Sequence, residues 1–339
     1  MNQATTVGID LAKTVFYLHG VDAQGHTVLH ERLTRTKLPA FLAQLPVCLI
    51  GMEACGGAHY WARYAQAHGH QVRIMNPQFV KAYLKSNKND ANDAEAICEA
   101  VSRPQMRYVP VNSVEQQDIQ SLHRVRSRVV GQRTMLVNQI RGLLQEYGLV
   151  LPRLIGTVRR QLPAIMENAE NGLTPRVRTL LAELYTELRD LDQRVERIGG
   201  AIQEVFEQHE VCQRLAAIEG IGPLTATALV AAVGDARVFK NGRQMAAWLG
   251  LVPRQASTGG RPQLLGISKR GDRYLRMLLI QGAHAAVLHA ARKQDSRRRW
   301  ILALKARRGP QITAVAVANK NARIAWALMA RGEVYRKAV

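Results

Sequence analysis

The chain has 339 residues, 47% of them hydrophobic, which is enough to bury cores in two or three domains and excludes a disordered polymer. Lys and Arg number 47 against 26 Asp and Glu, a net charge of +21 that favours polyanionic partners. Four cysteines without C-x-x-C spacing (Cys48, Cys55, Cys98 and Cys212) argue against structural zinc or a disulfide framework, and no signal pattern or bilayer-length apolar run is present, so a soluble cytoplasmic protein with no membrane partner is expected.

The first third reads as strands and helices in alternation. Residues 6–12 (TVGIDLA), 14–22 (TVFYLHGVD), 26–33 (HTVLHERL), 47–53 (VCLIGME) and 71–76 (QVRIMN) have strand patterns. Helical patterns at 38–45 and 58–69 separate the later strands, so a meander followed by strand–helix units predicts a mixed α/β sheet. A polar, turn-rich stretch at 85–89 leads into a helix starting at Asn89 or Asp90.

The middle of the chain reads as long helices. Ser113 with Gln116 three residues on forms a capping-box pattern for a helix reaching about Tyr147. Thr174 and Pro175 open a second, whose apolar positions Val177, Leu181, Leu184, Leu188, Leu191, Val195, Ile198, Ile202 and Val205 alternate in steps of four and three. That heptad seam predicts a coiled coil. Its regularity favours self-association, with an antiparallel hairpin inside the chain as the alternative.

The charge is concentrated beyond residue 235, where 22 basic residues face 3 acidic ones, a net +19. Arginines there alternate with apolar segments at helical period, so this is a folded basic domain suited to nucleic acid. It is preceded by 218–235, in which Gly220 and Gly222 between two apolar helical segments resemble a helix-hairpin-helix that offers backbone N–H groups to a phosphate; a plain glycine turn has the same appearance. The three regions expected are 1–110, 111–210 and 211–339.

Acidic residues stand out against this background. Asp10 ends the first strand and Glu53 the fourth, so both carboxylates emerge at one sheet edge if these strands are neighbours. Asp90 and Asp93 share a helix face one turn apart. A helix laid over that edge makes four carboxylates converge, which a divalent cation such as Mg²⁺ or Mn²⁺ resolves and phosphoryl transfer exploits. Taken singly, each acid also fits a strand end, a cap or a solvated first turn.

The segments VGIDLAK (7–13), the strand end at Glu53 and NPQFVKAYLKSNKNDANDAEAI (76–97) resemble the DEDD transposases of the insertion sequence 110 family, relatives of the pilin-gene-inverting recombinase. So do LHRVRSRVV, RTMLVNQIRGLLQEYG, GIGPLTATAL and SKRGDRYLR, and several features resemble the insertion sequence 1111 branch. The resemblance covers nearly the whole chain. It implies a RuvC-like, RNase H-class N-terminal domain, a central helical coiled coil and a mainly helical basic C-terminal domain. Asp10, Glu53, Asp90 and Asp93 would bind metal. A serine nucleophile is implied ahead of the S-K-x-G motif, and Ser257 in the polar loop 255–260 matches it, with Thr258 and Ser268 as alternatives. Gly259 and Gly260 would admit a backbone phosphate, and Arg254, Arg261, Lys269, Arg270, Arg273 and Arg276 would contact nucleic acid. The implied partners are donor and target DNA, a non-coding bridge RNA encoded by the element, and further copies of the chain in a homodimer that assembles to a tetramer. The implied activity is Mg²⁺-dependent, RNA-guided, serine-mediated strand exchange. A junction-resolving nuclease using metal-activated water and a non-catalytic nucleic-acid-binding protein are the alternatives.

Overall fold

A computed structural model describes residues 3–84, 89–292 and 295–336; apart from Asn89, the turn-rich stretch expected at 85–89 lies outside the described residues. The chain divides into two compact units, Met1–Glu115 and Gln116–Val339.

In the first unit, β1 (Thr6–Leu11), β2 (Val15–Val21) and β3 (Thr27–Thr34) form an antiparallel meander. After it come α1 (Leu38–Gln44), β4 (Leu49–Glu53), α2 (Ala58–Ala67), β5 (Gln71–Met75), the single turn α3 (Pro77–Val80), α4 (Asp90–Val101) and β6 (Tyr108–Val109). The sheet order is β3-β2-β1-β4-β5-β6, with β1, β4 and β5 mutually parallel and β6 an antiparallel edge. This mixed α/β sheet is the expected class and is consistent with a RuvC-like domain. β6 was not anticipated, because two residues are too few to carry a period.

Strand alternation sorts the side chains. Val7, Ile9, Phe16, Leu18, Ile50 and Met52 pack with Leu38, Leu42 and Trp61 of α1 and α2. Residues of the opposite parity in β1 and β4, namely Gly8, Asp10, Gly51 and Glu53, belong to the face that α4 covers. There a Cβ on Gly8 would meet Ala94 O at 2.3 Å and Cys98 N at 2.4 Å, and one on Gly51 would meet Val101 Cβ at 2.8 Å. Neither glycine has a positive φ, so both serve close approach: they let α4 lie directly on the sheet.

In the second unit, α5 (Val114–Gln145, whose first two residues belong to the first unit), α6 (Ile155–Glu167) and α7 (Pro175–Gln208) are the long helices. Thr174 caps α7 by accepting from Val177 N. Of the heptad stripe, Leu181, Leu188, Leu191 and Val195 are buried with Leu136, Ile140 and Leu144 of α5 and Val158 and Leu162 of α6. Arg133 and Arg159 both reach Asp192 across these helices. This part of the stripe packs on α5 and α6 of the same chain.

Then follow α8 (Glu210–Ala216), α9 (Pro223–Val233), α10 (Gly242–Trp248), the ribbon β7 (Pro253–Gln255) and β8 (Leu264–Ile267), α11 (Arg273–Leu288) and α12 (Ser296–Arg331). α12 breaks at Gly309, whose φ is 76°, just before Pro310. Leu215, Leu229, Met245, Leu279 and Val317 contribute to one core. Within this unit α7 packs on both α8 and α9. Among the described residues no helix is long and apolar enough to cross a membrane.

Candidate functional site

The acidic site is built by the docking of α4. Asn89, in extended backbone, caps the helix by accepting from Asn92 N at 2.8 Å, which places Asp90 and Asp93 in the first turn. Further along the same helix, Ala94 and Cys98 sit against Gly8, and the Cys98 thiol donates to Thr6 O at 3.6 Å. The start of α4 is thereby carried over the C-terminal end of β1. One carboxylate oxygen from each of Asp10, Asp90 and Asp93 lies within 4.8 Å of the other two. Asp10 and Asp93 are half-buried and Asp90 is exposed. Three carboxylates this close repel unless a cation sits among them, and hard oxygen donors on a sheet edge suit a divalent metal.

Glu53 ends the neighbouring parallel strand on the same face, in register one step beyond the Ile9–Met52 pair, but it is not in that trio. The structure therefore brings together three of the four acids singled out in the sequence and places the fourth one strand away. Cys55, two residues further on and exposed, was read in the sequence only as a reduced thiol. Burial first, then the charges of Asp10 and Glu53, push its thiol pKa up, so it lies in the field of both carboxylates. Gly8 and Gly51 also went unnoticed, although each precedes its acid by two residues, as G-x-D and G-x-E.

The serine-bearing segment is in the second unit and is a β-hairpin, not an irregular loop. Ala256 N donates to Gln263 O at 2.9 Å, Thr258 pairs with Arg261, and Gly259 and Gly260 turn the tip with φ of 55° and 75°. Two consecutive positive φ values are what a type I′ hairpin turn demands, which explains both glycines locally. Ser257 lies exposed on one arm, its hydroxyl accepting from Gln255 Nε2 at 2.8 Å. Ser268 is further from the tip, at the base of the ribbon, where its N–H donates to Val252 O at 2.8 Å.

The SKRGDRYLR segment closes against α10. Lys269 takes a left-handed φ of 54° while its N–H donates to Gly250 O at 3.2 Å, and a Cβ on Gly271 would meet Trp248 O at 1.9 Å. Asp272 caps α11 by accepting from Tyr274 N at 2.7 Å and Leu275 N at 2.9 Å. Arg276 needs correction as a nucleic-acid contact. It is only 9% exposed, and its Nη1 donates to Leu249 O at 3.2 Å and Arg270 O at 3.0 Å, so it ties this turn together. Arg254, Arg261, Lys269, Arg270 and Arg273 are exposed.

Gly220 has a packing role. Its φ is 91°, and a Cβ there would meet Gly282 O of α11 at 2.6 Å. Gly222, the N-cap of α9, is exposed.

One polar group escaped the sequence because its members are far apart in it. His123 of α5 is buried, with Nδ1 3.0 Å from the Tyr274 hydroxyl and Nε2 3.0 Å from Thr227 Oγ1. The Thr227 hydroxyl donates to Pro223 O at 2.7 Å, so its oxygen accepts the Nε2 proton and Nδ1 accepts from Tyr274. Burial, then the Arg126 charge, lowers the imidazole pKa to about 4, so the ring is neutral.

A family model described as "Transposase IS116/IS110/IS902 family" matches residues 212–299, and a DEDD-type model of IS110 elements, described as "Transposase", matches residues 7–149. A probable family 20 transposase of Pseudomonas aeruginosa is 54% identical, covering 97% of this chain and 98% of that one. The transposase for insertion sequence element IS1111A of Coxiella burnetii is 46% identical over 99% of this chain and 92% of its own. The transposase for insertion sequence element IS1328 of Yersinia enterocolitica is 41% identical over 99% and 100%.

Proposed function

The chain belongs to the IS110 family of transposases, in its IS1111 branch, and from that premise we propose that it exchanges DNA strands by metal-dependent, RNA-guided, serine-mediated chemistry. Membership itself implies an enzyme that cleaves and transfers DNA strands, and families of the DEDD type typically use divalent metal ions. The observation that carries the proposal is the convergence within 4.8 Å of Asp10 with Asp90 and Asp93, which lie 80 and 83 residues further along the chain.

Asp10, Asp90 and Asp93, joined by Glu53, are the groups that would hold metal. When bound, Mg²⁺ or Mn²⁺ supplies Lewis-acid stabilisation of charge on phosphoryl oxygens. The carboxylates fix the edge of the sheet at which a phosphodiester is held, and α4 keeps Asp90 and Asp93 in place through its contact with Gly8. Ser257 is the nucleophile of the proposal. Its Oγ bonds to phosphorus, the bond from phosphorus to one flanking deoxyribose oxygen breaks, and that oxygen leaves as a hydroxyl carrying a proton. Energy of the broken bond is retained in the phosphoserine until a second strand's hydroxyl reverses the step. Arg254, Arg261, Lys269, Arg270 and Arg273 supply positive charge along this region, and Gly222 at the start of α9 offers backbone N–H groups to a phosphate. The bridge RNA and the dimer-to-tetramer assembly enter on the family resemblance.

The test is an adduct assay with protein, element RNA, end-labelled donor and target DNA, and Mg²⁺. Label that migrates with denatured protein in the wild type and disappears in Ser257→Ala supports the reading. Metal-dependent cleavage without any adduct would replace it by a water-using nuclease, and an adduct that survives in Ser257→Ala moves the nucleophile to Thr258.

A further inference from the structure

The second unit contains a groove of about 2080 Å³ that none of the site residues above explains. One wall is β8, the outgoing strand of the serine hairpin, from Leu264 to Ile267; the floor is α12 from Trp300 to Leu328; the far rim is the segment after α12, including Tyr335 and Arg336. Its chemistry is two-sided. Leu264 is 68% exposed, Leu265 41% and Ile312 54%, an apolar wall left open to solvent. Along it stand the exposed cations Arg243, Arg308, Lys320, Arg323 and Arg336, while Glu333 is the only acidic residue lining it among the described residues.

The cations are crowded. Lys320 Nζ lies 4.4 Å from the Trp300 ring centroid, and partial burial, then the charges of Arg297 and Arg323, lower its pKa. Lys320 and Arg323 stand three residues apart on one face of α12, where an anion between them is favourable. A duplex would present phosphates alone and leave the apolar wall uncovered. A single strand presents both parts, phosphates to the cations and unstacked bases to the leucines, Ile312 and Trp300.

We propose that this groove holds single-stranded DNA, the strand that runs on from the phosphodiester at the Ser257 hairpin along β8 and α12. The choice of DNA over RNA rests on the reading of that hairpin as the reacting one; the choice of a single-stranded polyanion rests on the groove alone. Lys320 and Arg323 grip consecutive phosphates, while Leu264, Leu265 and Trp300 receive bases. The groove thereby keeps a freed strand end beside the hairpin between cleavage and rejoining.

Binding of a fluorescent oligothymidylate of about twelve nucleotides to the full chain tests this without cleavage. Replacing Lys320 and Arg323 together by Gln should reduce the slope of log K against log salt by about 1.4, because each single-strand phosphate contact contributes about 0.7. The pair Arg299→Gln with Lys305→Gln removes the same charge from exposed positions of α12 outside the groove and should leave the slope near the wild-type value. Photocross-linking with 5-iododeoxyuridine should label Trp300 or its neighbours in α12.

Equal losses in the two pairs would reduce the effect to bulk charge and overturn the proposal. So would tighter binding of duplex, or of oligouridylate, than of the oligothymidylate. Failure of the adduct assay with intact groove binding would refute the serine reading and leave the single-strand groove standing.

Discussion

Replacing Gly8 by Ala puts the placement of the acids to a direct test. The added Cβ would stand 2.3 Å from Ala94 O and 2.4 Å from Cys98 N, both backbone atoms of α4, whereas ordinary contact begins at 3.4 Å. No side-chain rotation relieves this, so α4 must retreat by 1.1 Å, the difference between 3.4 and 2.3 Å, or tilt by an equivalent amount. Overpacking of this kind costs about 1–3 kcal/mol, which a domain with a core spanning both faces of its sheet can absorb. The active-site consequence is larger than the stability loss. Asp90 and Asp93 ride on α4 while Asp10 stays on β1, and a misplacement of about 1 Å in reacting groups costs on the order of 100-fold in rate. Metal-dependent strand cleavage should therefore fall about 100-fold, while nucleic-acid binding through the second unit is retained and urea denaturation still shows a cooperative transition. Wild-type cleavage in a folded Gly8→Ala protein would refute the argument that close approach of α4 sets the acid geometry.

Single replacement of Asp10, Asp90 or Asp93 by Ala should abolish cleavage with DNA affinity kept within a factor of about three; loss of binding in all of them would reject their role as metal ligands. His123 links stability to pH. Its folded pKa of about 4 lies below the ordinary imidazole value of 6.5, so between these values the unfolded chain binds the extra proton. Stability is then full above pH 6.5 and falls as pH drops towards 4, by at most about 3 kcal/mol from this group; urea midpoints of His123→Gln should depend less on pH in that window than those of the wild type. Arg276→Met should cost about 2 kcal/mol by stranding two carbonyls, yet leave the salt dependence of DNA binding unchanged. Gly282→Ala would bring a Cβ within 1.8 Å of Gly220 O, so thermal melting should show a loss of about 1–3 kcal/mol.

Local pattern carried much of this molecule. Alternation in TVGIDLA and VCLIGME marked β1 and β4, and because an acid stands next to the end of the first and at the end of the second, the carboxylates at Asp10 and Glu53 were visible before any pairing was known. Asn89 before D-x-x-D marked the start of α4, and Thr174–Pro175 marked that of α7. These features are set by neighbours along the chain, through pleat parity, caps and helical period. The sequence also held the family resemblance, and with it the prospect of transposase chemistry.

What it did not determine was which surfaces meet. Only the parallel pairing of β1 with β4 puts Asp10 and Glu53 on one face, and only the docking of α4 on Gly8 brings Asp90 and Asp93 to Asp10. The heptad stripe of α7 has one period whatever covers it, and the period did not show that Leu181, Leu188, Leu191 and Val195 pack on α5 and α6. Arg276 and Arg273 look alike in a basic segment, yet one is spent on the carbonyls of Leu249 and Arg270 and the other faces solvent, because Arg273 stands at the start of α11 while Arg276, one turn further in, is enclosed by the turn before the helix. Period and composition are properties of one segment; burial, convergence of charge and the groove along α12 belong to pairs of segments, and those are decided only when the chain closes on itself.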